Sequence, residues 1–174
     1  HEILHYKPRI EKIAIKDVKM RTFITQDDER DDLVAHVYDV TYGTIRPDAD
    51  NLVILDDSIV RGTTLRRSII RILDRLRPKK IVVCSSAPQI RYPDCYGIDM
   101  ANLRELVAFE AVVDLLRASD KLDLLDRCYR QAKELLERKT ETEEVEINCV
   151  RPLYDAFSDE ELTRAIAERL RPEG

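Results

Sequence analysis

Asn51–Leu65 reads NLVILDDSIVRGTTL. Four apolar residues, Leu52 to Leu55, stop abruptly at two aspartates. A hydroxyl, a short turn holding Arg61 and Gly62, two threonines and a helical pattern follow. A short apolar run bounded by polar turn residues predicts a buried strand of a parallel sheet. In open α/β sheets ligands sit beyond the carboxyl ends of such strands, which puts Asp56 and Asp57 at the edge where chemistry is done. Downstream, Leu65, Ile69, Ile72, Leu73 and Leu76 repeat at helical spacing, predicting a helix over about 63–77 that Pro78 stops. Lys80–Ser86 (KIVVCSS) is the next buried strand, rich in β-branched residues. Strand, helix and strand with short links predict a right-handed βαβ unit. Ala87–Met100 is a long turn punctuated by Pro88, Pro93 and Gly97, with Arg91, Tyr96 and Asp99 as its conspicuous polar residues. They form either an active-site wall or an ordinary packed loop.

The two halves of the opening stretch ask for one kind of ligand. Adjacent carboxylates at a strand end accept hydrogen bonds from a vicinal diol or approach a hydrated Mg²⁺. Ser58–Thr64, wrapping into a helix N-terminus, offers backbone N–H groups and a positive dipole end suited to a phosphate. Gly62 permits close backbone approach, and Thr63 and Thr64 add hydroxyl donors. A diol at one end and a phosphate at the other describe a ribose 5-phosphate. The plainer reading of two aspartates alone is a helix cap. In that reading the threonines sit in an ordinary turn; it suits a bare DD, and much less the whole string of apolar run, DD, spacer, GTT and helix.

LVILDDSIVRGTT resembles the phosphoribosyl pyrophosphate signature of type I phosphoribosyltransferases. Together with SSAPQIRYPDCYGIDM (Ser85–Met100) and RTFI (Arg21–Ile24) upstream, it is similar to the glutamine phosphoribosylpyrophosphate amidotransferases, over about residues 21–108. The resemblance implies an α/β fold, a parallel-sheet, Rossmann-like three-layer phosphoribosyltransferase domain, here its C-terminal part. It also implies Mg²⁺, and transfer of ammonia from glutamine to C1 of phosphoribosyl pyrophosphate to give phosphoribosylamine in purine synthesis. On that pattern Asp56 and Asp57 are catalytic, and hold Mg²⁺ if protein groups do. Ser58, Arg61, Gly62, Thr63 and Thr64 bind the phosphoribosyl pyrophosphate. Some members carry an iron–sulfur cluster with a cysteine directly after the proline before YGID. Here Asp94 follows Pro93 and Cys95 comes one later, so no cluster is expected.

Composition frames the rest. The 174 residues are 44% hydrophobic and 36% charged, with net charge −5, which fits one soluble domain without an electrostatic footprint for nucleic acid. No apolar run approaches the roughly 20 residues that cross a bilayer. Cys84, Cys95, Cys128 and Cys149 form no CxxC pair and read as reduced thiols of a cytoplasmic protein. Upstream, Ile10–Ile15 could be a strand, Lys12–Arg21 is a basic stretch with a solvated or a catalytic reading, and Thr25 caps a helix expected over about 26–38. His36 on that helix has no second histidine spaced to make a metal site. Downstream, helices are expected over about 101–116, 122–139 and 158–170. Lys139–Glu146 is a charged linker or the start of a strand over 145–150.

The chain is expected to be one phosphoribosyltransferase-like domain, with a core over about 21–118 and a helical extension over about 119–174. Its first strands are expected to lie in a longer polypeptide that also carries a glutaminase domain and forms a homo-oligomer. Alone, it should bind ribose 5-phosphate or nucleotide weakly and turn over poorly. The alternative is a non-catalytic module that senses nucleotides or ribose phosphates. A signalling receiver domain also places acids at strand ends, but gives no reason for the GTT.

Overall fold

The computed structural model describes residues 9–11, 13–16, 38–40, 43–97, 100–138 and 147–172. The expected helix over 26–38 and the RTFI block lie outside these, except that Tyr38 opens a strand. The described elements are mixed α and β. Strands β1 (Ala14–Lys16) and β2 (Tyr38–Val40) pair antiparallel, Ile15 opposite Asp39. Strands β3 (Asn51–Asp56) and β4 (Lys80–Ser85) form a separate two-stranded sheet. Their link is parallel: Lys79 N–H donates to Asp50 C=O at 2.8 Å, and Ser86 N–H to Asp56 C=O at 2.9 Å. The βαβ order is thus present, whereas a full three-layer sheet is not seen among the described residues.

The described residues cluster in two compact units, one from His1–Ile54 with Thr64–Val83, the other from Leu55–Thr63 with Cys84–Gly174. In the first, a π-helical stretch, Leu65–Ile70, runs into one α-turn, Arg71–Asp74; together they are α1. The wider π turn shifts the buried stripe. Leu65, Ser68, Ile70 and Leu73 are buried, where an α-helix would have favoured Ile69 and Ile72. The turn before β3 is tied by Asp50, whose carboxylate takes Arg46 N–H at 2.9 Å and its guanidinium at 2.6 Å. Those bonds hold the Asp50 carboxyl below its ordinary range, the Arg46 side chain contributing most.

β3 corrects one expectation. It alternates instead of being buried on both faces, with Val53 63% and Leu55 82% exposed. Burial on two faces needs helices on both sides of a sheet; here Leu52, Ile54 and Asp56 are half-buried and no residue of β3 is fully buried.

The second unit is helical. A 3₁₀ turn (Leu103–Glu105) precedes α2 (Val107–Ala118), so the helix expected from Ala101 begins later, after an extended and fully buried Leu106. Asp120, at φ 55°, takes the left-handed turn that carries the chain into α3 (Leu122–Arg138). Asn148 accepts from Val150 and Arg151 N–H at 3.0 and 3.2 Å in the turn that leads into a short helix, α4 (Arg151–Asp155); of the strand that is one alternative over 145–150, residues 147–150 are coil and turn, and the rest lies outside the described residues. α5 (Asp159–Leu170) completes the unit. Its core joins Ala111, Val112 and Leu116 of α2, Cys128 of α3, Leu153 and Tyr154 of α4, and Leu162 of α5. Among the described residues no helix is long and apolar enough to cross a membrane.

α5 begins with a capping box. Ser158 Oγ accepts Glu161 N–H at 3.2 Å, and Glu161 Oε2 accepts Ser158 N–H at 2.8 Å. The backbone bond to Ser158 is the main reason the Glu161 carboxyl is held low. A carboxyl lowered on folding stabilises the fold above its unfolded value, about 4.3, and that contribution fades as pH falls through the lower folded value. Glu161→Gln keeps the box but not the charge. It is expected to lower stability slightly at neutral pH, where the charge contributes fully, and to converge with the parent protein below about pH 4.5, so that the acid limb of the stability–pH curve flattens, as urea melts at stepped pH would show.

Candidate functional site

β3 delivers Asp56 and Asp57 to its carboxyl end, as the opening stretch predicts. Asp56 Oδ1 accepts Asp57 N–H at 2.9 Å, and Asp57 Oδ1 accepts Ser58 N–H at 2.7 Å. Each carboxylate is thereby fixed by its own backbone, with its other oxygen left for a donor. Neither enters an ion pair among the described residues. Beside them is an open hollow of about 360 Å³ lined by Leu55, Asp56, Asp57, Cys84, Ser85 and Ser86, within the range of about 300–1,000 Å³ usual for small ligands.

The β4 side of that hollow escaped the sequence reading, although it could have been found. A parallel neighbour of β3 must end at the same edge, so Cys84–Ser86 fall alongside the aspartates. Ala87 N–H donates to Asp57 C=O at 2.9 Å. Ser86 Oγ donates to Asp57 C=O at 3.0 Å and Ser85 Oγ to Ala87 C=O at 2.9 Å. These bonds leave the serine oxygens as acceptors at the rim.

The loop after the aspartates is held from its far side. Val107 N–H donates to Val60 C=O at 2.9 Å. Arg61 makes an ion pair with Glu105, whose other oxygen takes Asn102 Nδ2 at 2.9 Å. Gly62 sits at φ 70°, and a Cβ there would come within 2.5 Å of Leu170 Cδ2 and 3.7 Å of Val107 Cγ2. The demand for glycine that the sequence reading gave to a ligand is met here at least as strongly by α5. Ser58 is half-buried and Thr63 exposed. Thr64, which belongs to the other unit, is exposed and enters α1 without a side-chain cap. Neither Ser58 nor Arg61–Thr63 lines the hollow.

In the Ala87–Met100 loop the packing reading holds for Arg91. Its guanidinium donates to Gln89 Oε1 at 2.6 Å, pairs with Asp159 and lies 5.5 Å from the Tyr154 ring centre. Tyr154 Oη donates to Arg91 C=O at 2.8 Å, and Tyr92 meets the Tyr154 ring edge-on at 5.6 Å. Burial pushes the Tyr154 hydroxyl well above its usual range, so it stays a neutral donor. Tyr96 is exposed, and Asp99 lies outside the described residues. Tyr154→Phe should cost about 1–2 kcal/mol, because it strands the Arg91 carbonyl. Faster proteolysis between residues 88 and 97 is the accompanying readout.

The four cysteines are free thiols, and no group of three or more metal-binding side chains occurs among the described residues. Two carboxylates with open outer oxygens nonetheless fit Mg²⁺, which keeps most of its waters and needs only one or two carboxylates from protein.

With this geometry in hand, comparison with known proteins points to one class. Over part of its length the chain is similar to curated amidophosphoribosyltransferases. That of Escherichia coli is 46% identical over 67 residues, 38% of this chain and 13% of that protein. That of Pseudomonas aeruginosa is 48% identical over 58 residues, 33% and 11% of the two chains. That of Schizosaccharomyces pombe is 38% identical over 87 residues, 45% and 16%. The likeness thus spans between about a tenth and a sixth of these relatives' lengths. No family model matches the chain, and no solved structure matches it significantly.

Proposed function

We propose that residues 51–64 are the phosphoribosyl-binding part of an amidophosphoribosyltransferase, in which ammonia displaces pyrophosphate at C1 of the ribose in purine synthesis. The observation that carries this reading is the pair of unpartnered carboxylate edges on an open hollow at the end of β3, alongside the likeness to enzymes of that name. Asp56 and Asp57 accept the two ribose hydroxyls, and their negative charge favours the oxocarbenium-like centre as pyrophosphate departs. Ser58, Arg61, Gly62, Thr63 and Thr64 hold the 5-phosphate. Mg²⁺, when bound, neutralises the leaving pyrophosphate, and the outer oxygens of Asp56 and Asp57 are the groups here that would hold its waters. Positioning is the protein's main contribution. Ammonia comes from a glutaminase domain of the same polypeptide in a cytoplasmic homo-oligomer.

A second reading, a non-catalytic sensor of ribose phosphates, draws on a specific observation. Arg61 is already paired with Glu105 and Gly62 already packed under Leu170, so the loop has protein partners where a substrate would need it. Pyrophosphate release tested with ammonia and Mg²⁺ in the longer polypeptide separates the two. The transferase reading expects release that Asp56→Asn/Asp57→Asn abolishes. Binding of ribose 5-phosphate without any release would favour the sensor.

A further inference from the structure

Three neighbouring residues of the loop after the aspartates are held by three different parts of the helical unit. Val60 C=O accepts Val107 N–H at 2.9 Å, Arg61 pairs with Glu105, and Gly62 lies against Leu170. The middle attachment is the one that carries charge. Glu105 is half-buried, and the carboxylate oxygen that meets the guanidinium, Oε2, is closed off from solvent. Its other oxygen accepts Asn102 Nδ2 at 2.9 Å. Asn102 is fixed in turn, its Oδ1 accepting Arg104 N–H and its C=O accepting Glu105 N–H, both at 3.1 Å. The carboxylate is thus set by its own turn before Arg61 reaches it. Were the guanidinium to turn to a phosphate, Oε2 would be left as a buried charge without its partner, which costs more than one exposed contact returns.

We propose that Glu105 is a positioning residue of the phosphate loop, and that Arg61 serves the 5-phosphate through its backbone N–H while its charge answers Glu105. This rests on the phosphoribosyl reading of residues 51–64 and gives the guanidinium a different part within it. A loop tied at Val60, Arg61 and Gly62 keeps its amides in one arrangement, so a phosphate does not have to order them on binding. Neither Glu105 nor Asn102 lines the hollow, and Glu105 acts through Arg61.

Ribose 5-phosphate binding to the 174-residue chain, followed by its backbone amide resonances, tests this. Glu105→Ala should weaken binding by about tenfold, with the shifts at Arg61–Thr63 shrinking and those at Asp56 and Asp57 kept. Glu105→Gln, which keeps an acceptor toward the guanidinium, should lose no more than about threefold. Arg61→Glu should weaken binding as Glu105→Ala does. Arg61→Glu/Glu105→Arg should restore it, because the phosphate does not meet the side chain at position 61. A guanidinium that contacts the phosphate gives the opposite pattern. Glu105→Ala would then free it and tighten binding, and the reversed pair would bind no better than Arg61→Glu alone. Either result overturns the proposal, and the alanine variant decides alone where the reversed pair does not fold by circular dichroism. A parent chain whose resonances do not respond overturns the phosphoribosyl reading and this inference together. A parent that binds, with Glu105→Ala binding equally well, overturns the inference alone.

Discussion

Gly62→Ala is expected to destabilise the protein by about 2–3 kcal/mol, the sum of a left-handed backbone at a non-glycine residue and one overpacked contact. At φ 70° an alanine is strained whatever surrounds it, and its Cβ would press on Leu170 Cδ2 at 2.5 Å. Leu170 is 5% exposed and hemmed in by its unit, so its side chain cannot simply swing away. The two parts separate in a double-mutant cycle. Gly62→Ala/Leu170→Ala should recover the overpacking and keep the backbone strain, which makes the pair less destabilised than the sum of the singles. Urea unfolding of the four proteins measures this. Strict additivity would mean that α5 does not bear on the loop.

Asp57→Asn is expected to weaken binding of ribose 5-phosphate by about tenfold, the difference between charged and neutral acceptors of one or two hydroxyl hydrogen bonds. Fold stability should barely change. The asparagine carbonyl can still take the Ser58 N–H that Asp57 Oδ1 accepts at 2.7 Å, so the turn survives while the charge goes. Asp56→Asn preserves the Asp57 N–H bond in the same way, and the two substitutions together should abolish measurable binding. An equal loss of stability and of affinity would instead mark the aspartates as structural caps.

Much of this architecture was legible because it is written locally. The apolar run broken by two aspartates fixes where β3 ends, and Ser158 followed three residues later by Glu161 announces the start of α5. What escaped depends on distance along the chain. Gly62 announces a special backbone, but only the fold reveals that Leu170 fills the space beside it. Arg91 reads equally as ligand or clamp until Asp159 and Tyr154 arrive from more than sixty residues away. The π turn at Leu65–Ile70 moves a buried stripe that periodicity placed one residue off. The exposed side of β3 was invisible for a related reason, since an apolar run has no mark of which elements will cover it.

The phosphoribosyl reading stands or falls on one titration. Ribose 5-phosphate is added to the isotopically labelled chain and the backbone amide resonances are followed. Saturable shifts concentrated at Asp56–Thr64 and at Ser85 and Ser86, lost in Asp56→Asn/Asp57→Asn, are the predicted result. Resonances there that do not move, or that move identically in the double variant, would contradict it.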